Sequence, residues 1–192
     1  MLNLSSGSGS GNYIRFSPQA NAWTNNNNEE ITLKKVVFDI DNIKTGWLLL
    51  GVGVRDWVQD ESVGKKGPQP SPEHRRGFDI TLYNKEIGAA AFSSNGVGNN
   101  IMLETMYKAC IAERTANPGK LPVVEYKGSK AEKIGKGTTR IPQFVLTGWV
   151  ARPAGLDADS QEFEAEPAAI VPLPVRKQAP VKAAVVEDDD IF

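Results

Sequence analysis

The stretch GFDITLYNKEIGAAAFSSNGVGNNIMLETMYKACIAER, residues 77–114, contains the change of periodicity that decides the fold. Apolar and polar residues alternate over residues 77–83, which predicts a strand, and Asn84-Lys85 predicts a turn into a second, shorter strand. Over about residues 99–114 the apolar side chains instead recur at helical spacing. The stretch therefore predicts a hairpin followed by a helix.

Strand-like segments flank this stretch on both sides. Upstream lie a β-branched run at residues 31–40 and an apolar run at residues 45–58, and a long loop at residues 59–75 follows them. Glycines inside the second run predict bends, as a small curled barrel needs. Downstream, residues 121–127 and 138–152 have the composition and alternation of two more strands.

The predicted order is strand, strand, strand with its hairpin, helix, strand, strand. This is the element order of the OB fold, a five-stranded Greek-key barrel with its helix between strands 3 and 4. We therefore predict a mainly β protein with an OB-like barrel and disordered termini. A small mixed α+β domain with the same elements is the alternative.

Composition divides the chain into three segments. Residues 1–11 are rich in Gly and Ser and predict a flexible N-terminus, a composition that suits an engineered linker as well as a natural arm. Residues 12–154 form the predicted folded domain. Residues 155–192 are rich in Ala, Pro, Glu and Asp without an apolar period, so we expect a disordered acidic tail.

The formal net charge of -1 hides two opposite parts. Residues 1–155 carry 19 basic and 14 acidic side chains, a net of +5, whereas residues 156–192 carry 3 basic and 9 acidic ones, a net of -6. Such asymmetry between segments is typical of a body that contacts nucleic acid and a counter-charged appendage.

Residue counts and the lengths of apolar runs exclude several classes of protein. The single Cys110 cannot form an intramolecular disulfide, and one Cys plus one His cannot build a zinc site. No apolar run approaches the roughly 20 residues of a membrane span, and no secretory signal is visible at the N-terminus. We therefore expect a cytoplasmic, non-enzymatic protein without membrane contact, metal or cofactor.

The last six residues, Glu187-Asp188-Asp189-Asp190-Ile191-Phe192, are the most specific motif. A terminal ring can fill an apolar pocket on a partner while the neighbouring carboxylates are held by Arg or Lys. This ending resembles the single-stranded DNA-binding proteins of bacteria and their phages, whose linkers end in an acidic run closed by Phe. Ile191 replaces the Pro usual in the bacterial form, so the chain is more similar to phage-type variants.

The resemblance implies coating of single-stranded DNA during phage replication or recombination, in the host cytoplasm if the protein is phage-encoded. It also implies that the tip, residues 187–192, recruits replication or recombination proteins, through Asp188, Asp189, Asp190, Ile191 and Phe192. The acidic tail can compete electrostatically for the DNA site. Self-association of the chain is compatible with this interpretation.

Single strands are bound by cationic grooves and aromatic platforms. The candidate residues follow that chemistry, with Trp57 and Tyr126 as the first aromatic candidates because each lies where a strand enters a basic or polar loop. The predicted set is Trp57, Lys65, Lys66, Arg75, Arg76, Phe78, Tyr126, Lys127, Lys130, Lys133, Lys136 and Arg140.

Two other functions stay open on sequence grounds. Asp39 and Asp41 have the Asp-x-Asp spacing of an Mg-dependent phosphotransferase, although a turn between strands explains them more simply. A structural or scaffold protein with a solubilising acidic tail is the other. His74 lies in a Pro-rich, Arg-flanked loop, which favours a surface or phosphate-contacting side chain over a general base.

Overall fold

In a computed structural model of the chain, the structure describes residues 12–51 and 54–156. The predicted N-terminal segment 1–11 and most of the predicted tail, including the docking tip, lie outside the described residues.

Within the described part there are ten strands and one α-helix. The strands are β1 Arg15–Ser17, β2 Ala22–Thr24, β3 Glu30–Ile31, β4 Lys35–Phe38, β5 Lys44–Gly51, β6 Val54–Gln59, β7 Arg75–Asn84, β8 Gly88–Ser94, β9 Lys120–Ile134 and β10 Gly137–Ala151. The helix α1 spans Val97–Arg114, and single 3-10 turns lie at Ile40–Asn42 and Ala154–Leu156.

The main sheet is antiparallel and ordered β10-β9-β4-β7-β5-β6, with β8 paired to the other edge of β7. β4 and β5 both pair with β7, β4 near its end and β5 along its first half, so they follow one another along the same edge. The 3-10 turn at Ile40–Asn42 separates the two strands. The main sheet thus contains strands from all six predicted segments, and the segment predicted at residues 45–58 contributes two of them, β5 and β6.

The sheet does not close by strand pairing. β8 and β10 are not hydrogen-bonded to each other in the described part of the chain, so the mainly β class is confirmed and a closed five-stranded barrel is not found. The edges at β8 and β10 are covered instead. Residues 12–14 pair with β8 at Ala91, and α1 packs along β10.

The helix approaches β10 very closely. A Cβ on Gly98 would lie 2.7 Å from the carbonyl oxygen of Arg140, and at the other end Trp149 Nε1 donates to Glu113 at 3.1 Å. Only Gly allows this approach, which protects a sheet edge from pairing with other chains. Met102, Met106 and Cys110 are buried in the core, and burial raises the pKa of the Cys110 thiol to about 11.

The N-terminal strands β1–β3 form a small sheet of their own that fills the gap between β8 and the β9–β10 hairpin. Trp23 is 2% exposed, and its ring lies 5.0 Å from Phe92 on β8 and 5.8 and 6.0 Å from Tyr126 and Phe144 on β9 and β10. Edge-on aromatic contacts of this kind stabilise a core. The segment around Trp23 therefore packs on the body.

Three predicted boundaries change. The apolar run 45–58 is two strands of a hairpin, and of the run 31–40 only the last residue of β3 and all of β4 are strand. The folded body also extends past residue 154, because Leu156 is only 4% exposed. Gly155 and Leu156 thus belong to the body rather than the tail. None of the helices in the described residues is long and apolar enough to cross a membrane.

Candidate nucleic-acid interface

Trp57 and Arg75 lie on one face of the sheet. Leu48 on β5 pairs with Trp57 on β6 and with Arg75 on β7. Residues paired across an antiparallel ladder share a face, so the indole and the guanidinium flank Leu48 on the same side. Leu48 is fully buried beneath its neighbours, whereas Trp57 is half-buried and Arg75 is exposed. We call this side of β5–β8 the strand face.

A further cation, which the sequence prediction did not include, reaches the strand face through its side-chain bonds. Arg55 on β6 donates to Asp79 on β7 at 3.3 Å and to Ser93 on β8 at 3.1 Å, and Ser93 donates to Asp79 at 2.6 Å. The side chain of Arg55 is 57% exposed. An arginine so placed can exchange part of this network for a phosphate.

The opposite side of β5 and β7 is covered by residues 60–74, and we call it the loop face. Trp47 points there, with Lys66 Nζ 4.9 Å and the guanidinium carbon of Arg76 5.2 Å from its ring centroid. Its Nε1 donates to the carbonyl of Gly67 at 2.9 Å. Trp47 is only 7% exposed, so the two cations close over a ring that no ligand reaches.

Asp60 connects the loop of residues 60–74 to the sheet through hydrogen bonds. Its carboxylate accepts two bonds from Arg76, at 2.9 and 2.6 Å, and one each from the Thr45 hydroxyl and the Gly67 amide. The Arg76 hydrogen bonds hold the pKa of the Asp60 carboxyl well below its usual range, against the opposing effect of burial. Arg76 therefore stabilises the loop.

His74 is buried rather than on the surface, which corrects the sequence interpretation. Its ring bridges Ser71 Oγ at 2.8 Å and Asp56 at 3.1 Å, and it is 5% exposed. Gln69 donates to its carbonyl at 2.8 Å. These bonds fix the end of the Pro-rich loop against β6.

Lys65, at the tip of the loop, pairs with Glu61 and is exposed.

The β9–β10 hairpin carries most of the remaining predicted cations. Gly128 has a φ of +92° where the register between the two strands shifts, a β-bulge that only Gly adopts without strain. Beyond the bulge, β9 has β10 as its one paired strand in the described residues. The exposed cations of this projecting arm are Lys130, Lys133 and Lys136.

The two sides of the hairpin face different neighbours. Lys130 lies 4.0 Å from Glu132 and beside α1, whereas Arg140 is half-buried next to Pro18 and Gln19 of the N-terminal segment. Arg140 donates weakly to Ser129 Oγ, at 3.4 Å. The predicted hairpin residues thus share one element, but they do not share one face.

Three remaining predicted residues differ in accessibility. Phe78 is 2% exposed and packs 5.2 Å from Phe92, so its ring offers no surface for stacking. Tyr126 is half-buried against Trp23 and Phe144, and burial raises its pKa. Lys127 is exposed beside the strand ladder and bonds Glu125 at 2.7 Å. Among these three, Lys127 is the accessible one.

Glu125 sits within a basic surface that the sequence prediction overlooked. Hydrogen bonding from Lys127, with the nearby charge of Lys35, holds the pKa of the Glu125 carboxyl below its usual range. An open cavity of about 430 Å³ here is lined by Lys34, Lys35, Asn84, Lys85, Glu86, Glu125 and Tyr126. The lining residues come from three distant parts of the chain, so no local sequence pattern joins them.

Both candidate catalytic carboxylates have guanidinium partners. Asp39 is 2% exposed, and Arg152 donates to its two oxygens at 2.9 and 2.8 Å. Asp41 pairs with Arg114 at 2.7 Å. The residues that the structure describes contain no cluster of three or more metal-ligating side chains. The arrangement fits a role for Asp39 and Asp41 in stabilising the fold.

The end of the body leaves from the strand-face side of β7. The Asp39 amide donates to Thr81 O on β7 at 3.0 Å, so Asp39 continues the β4–β7 ladder opposite Thr81 and its pair with Arg152 lies on the strand-face side. Gly155 then packs against the Tyr83 ring, so closely that a Cβ there would lie 2.5 Å from the ring. We call residues 152–156 the tail root.

No protein-family model, no curated protein and no solved structure matches this chain.

Proposed function

We propose that this protein binds single-stranded DNA, with the strand face as its main surface and the β9–β10 hairpin as a cationic arm. The observation that carries the proposal is the row Trp57–Leu48–Arg75, which pairs an accessible indole with a guanidinium on an exposed sheet face. Stacking on such a ring is worth about 1–3 kcal/mol per base, and the cation serves the adjoining phosphate.

The strand order supports this proposal. β9, the β4–β5 edge, β7 and β8 lie side by side in the spatial order 4-1-2-3 of a Greek key. The helix α1 connects β8, which is strand 3 of this motif, to β9, which is strand 4. On this order we propose that the sheet is a partly open OB-like barrel. OB folds bind nucleic acid on the face of strands 2 and 3 and with the loops between strands 1 and 2 and between strands 4 and 5.

These OB surfaces correspond to the surfaces described above. Strands 2 and 3 are β7 and β8, which carry Arg75, Asp79 and Ser93 on the strand face. The connection between strands 1 and 2 contains β6, whose Trp57 lies on the strand face, and residues 60–74, which cover the loop face instead. The loop between strands 4 and 5 corresponds to the tip of the β9–β10 hairpin. A face with aromatic and cationic groups thus lies where the fold class uses one.

A titration with labelled oligonucleotides tests the function. Fluorescence anisotropy is measured for a 16-nucleotide single strand and for the matching duplex, at salt concentrations from about 50 to 200 mM. We expect tighter binding of the single strand, with a slope of log affinity against log salt of about -0.7 per phosphate contacted. Equal affinity for both DNA forms would reject the proposal.

We further propose that the acidic tail competes for the strand face and that its tip docks replication or recombination proteins. The tail root fixes the start of the tail beside Tyr83, about 27 Å along β7 from Arg75 at the usual rise per residue. Residues 157–192 number 36, and a chain of that length spans up to about 120 Å when extended. The acidic tail is therefore long enough to compete with DNA for the strand face.

Deleting residues 187–192 tests whether the acidic tail competes with DNA. We expect single-strand affinity to stay the same or to rise, most clearly at low salt, because four carboxylates no longer compete with phosphates. The matched control replaces Ile191 and Phe192 by Ala and retains all four acidic side chains, so its DNA affinity should equal that of the full chain. Weaker DNA binding by the deletion variant would contradict competition.

A further inference from the structure

A second aromatic and cationic pair lies at the far end of the strand face, on the N-terminal segment. Residues 12–14 pair in parallel with β8: Ile14 N donates to Ala91 O at 2.9 Å, and Ala91 N donates to Asn12 O at 2.8 Å. Tyr13 is thereby bridged to Ala91. Ile14 is 2% exposed and points into the core, so Tyr13 points outward.

The ladder assigns Tyr13 to the strand face. Ala91 pairs with Thr81 on β7, and Thr81 lies between the core residues Ile80 and Leu82. Alternation along β7 puts Thr81 on the same side as Asp79 and Arg75. Tyr13 therefore extends the face by one strand beyond β8, and it is 37% exposed.

The Arg15 side chain lies next to the Tyr13 ring. Its guanidinium carbon lies 5.8 Å from the ring centroid, and the side chain also bonds Asn28. The segment repeats the chemistry of Trp57 and Arg75. Along β7 the two pairs are separated by the six residues from Arg75 to Thr81, about 20 Å.

Tyr13 is held in place before any ligand arrives. The amide of Asn12 bonds the carbonyl of Ile87, and the Tyr13 hydroxyl donates to Asn26 O at 3.4 Å. Trp23 anchors the same segment in the core, 2% exposed. A pre-positioned ring loses little conformational entropy when a base stacks on it.

We infer that Tyr13 and Arg15 form a second base-stacking and phosphate-binding station, so that a single strand crosses the strand face from Trp57 to the N-terminal segment. This inference rests on the proposed function. Stacked nucleotides rise about 3.4 Å each along one strand, so at least six or so nucleotides separate the two stations. Such a span falls within the usual site size of an OB fold, about 4–16 nucleotides.

Binding of the full chain to a 16-nucleotide thymidine oligomer tests the station. Tyr13→Ala should weaken binding roughly 5- to 150-fold, and Tyr13→Phe, which keeps the ring, should bind like the parent. Arg15→Ala should weaken binding more than Lys108→Ala, the matched loss of one cation on α1, where Lys108 pairs with Glu104. Equal affinity of Tyr13→Ala and the parent protein would overturn the inference.

Cross-linking of the unmodified protein gives an independent readout. Photo-activated 5-iodouracil within the oligomer should link to Tyr13 and to Trp57. Trypsin cuts after Arg15 and Arg55, so the two sites fall in separate peptides, residues 1–15 and 56–65. Links in both peptides support two stations. A link at residues 56–65 without one at residues 1–15 overturns the second station and leaves the proposed function standing, whereas failure of the unmodified protein to prefer single strands rejects both.

Discussion

Trp47 and Trp57 lie on neighbouring strands, and each shares a row of the sheet with an arginine, yet they have opposite surroundings. Trp47 is 7% exposed, is covered by Lys66 and Arg76, and donates its indole hydrogen to Gly67. Trp57 is half-buried on the other side of the sheet, in a row with Leu48 and exposed Arg75. The first indole is part of the fold, and the second remains available to a ligand.

The difference shows what strand alternation does to a cluster of adjacent residues. Arg75 and Arg76 are neighbours in sequence, but successive side chains of a strand point to opposite faces. Arg75 therefore joins Trp57 on the strand face, and Arg76 joins Trp47 and Asp60 on the loop face. A basic pair in the sequence becomes one candidate binding residue and one structural residue.

The largest expected effect is on stability, through Trp47. Replacing Trp47 by Ala should lower the free energy of unfolding by about 3–5 kcal/mol, because a nearly buried indole is removed and its Gly67 partner is left unpaired. Urea unfolding followed by circular dichroism measures the change. A loss below about 1 kcal/mol would mean that the loop does not depend on this ring.

The Asp60–Arg76 pair should give a smaller, pH-dependent effect. We expect Asp60→Asn to cost about 2–3 kcal/mol at pH 7, less than a fully buried pair because Arg76 is 32% exposed. The pKa of Asp60 is lowered in the folded state, so this stabilisation is present above the unfolded-state value of about 3.9 and is lost as pH falls below it.

Unfolding of the two proteins between pH 7 and pH 3 measures this dependence. The gap between the parent and Asp60→Asn should be constant from pH 7 to about pH 5 and should shrink below about pH 4. A gap that widens toward acid pH would show that the carboxylate does not stabilise the loop through its charge.

Trp57 should show the reverse behaviour of Trp47. Trp57→Ala should weaken binding to a single-stranded oligomer by about 1–3 kcal/mol, and the free energy of unfolding should fall by no more than about 1 kcal/mol. Trp57→Phe is the matched control, which keeps an aromatic face and most of the affinity. If Trp57→Ala unfolds the protein as Trp47→Ala does, the contrast between the two indoles does not hold.

Much of the fold could be predicted from periodicity. The helix was expected at residues 99–114 and spans Val97–Arg114, and the strands around it follow the alternating runs. The hairpin within residues 45–58 was not predicted, because a continuous apolar run gives no turn signal beyond its glycines. The strands at residues 15–31 were missed because each has only two or three residues.

The residue types of the candidate site could be predicted from the sequence, but which of those residues lie together could not. Trp57 was named because it lies where a strand enters a polar loop, and Arg75 because single strands need cations. The sequence does not reveal that both pair with Leu48 and so share a face. Phe78 was a candidate because it lies close to Arg76 in the sequence, but its ring is buried in the core. Tyr13 reaches the strand face through long-range pairing with β8. Arg55 lies in the local β5–β6 hairpin and reaches that face through hydrogen bonds to the distant residues Asp79 and Ser93, so no local motif reveals either arrangement.

One measurement tests the central claim most directly, namely the affinity for a single-stranded 16-mer of two charge reversals, Arg75→Glu and Lys65→Glu. Both change the net charge by two, but Arg75 lies on the strand face and Lys65 at the tip of residues 60–74, paired with Glu61. We predict a loss of about tenfold or more for Arg75→Glu and of less than about threefold for Lys65→Glu at the same salt concentration. Equal losses, or a larger loss for Lys65→Glu, would contradict binding on the strand face.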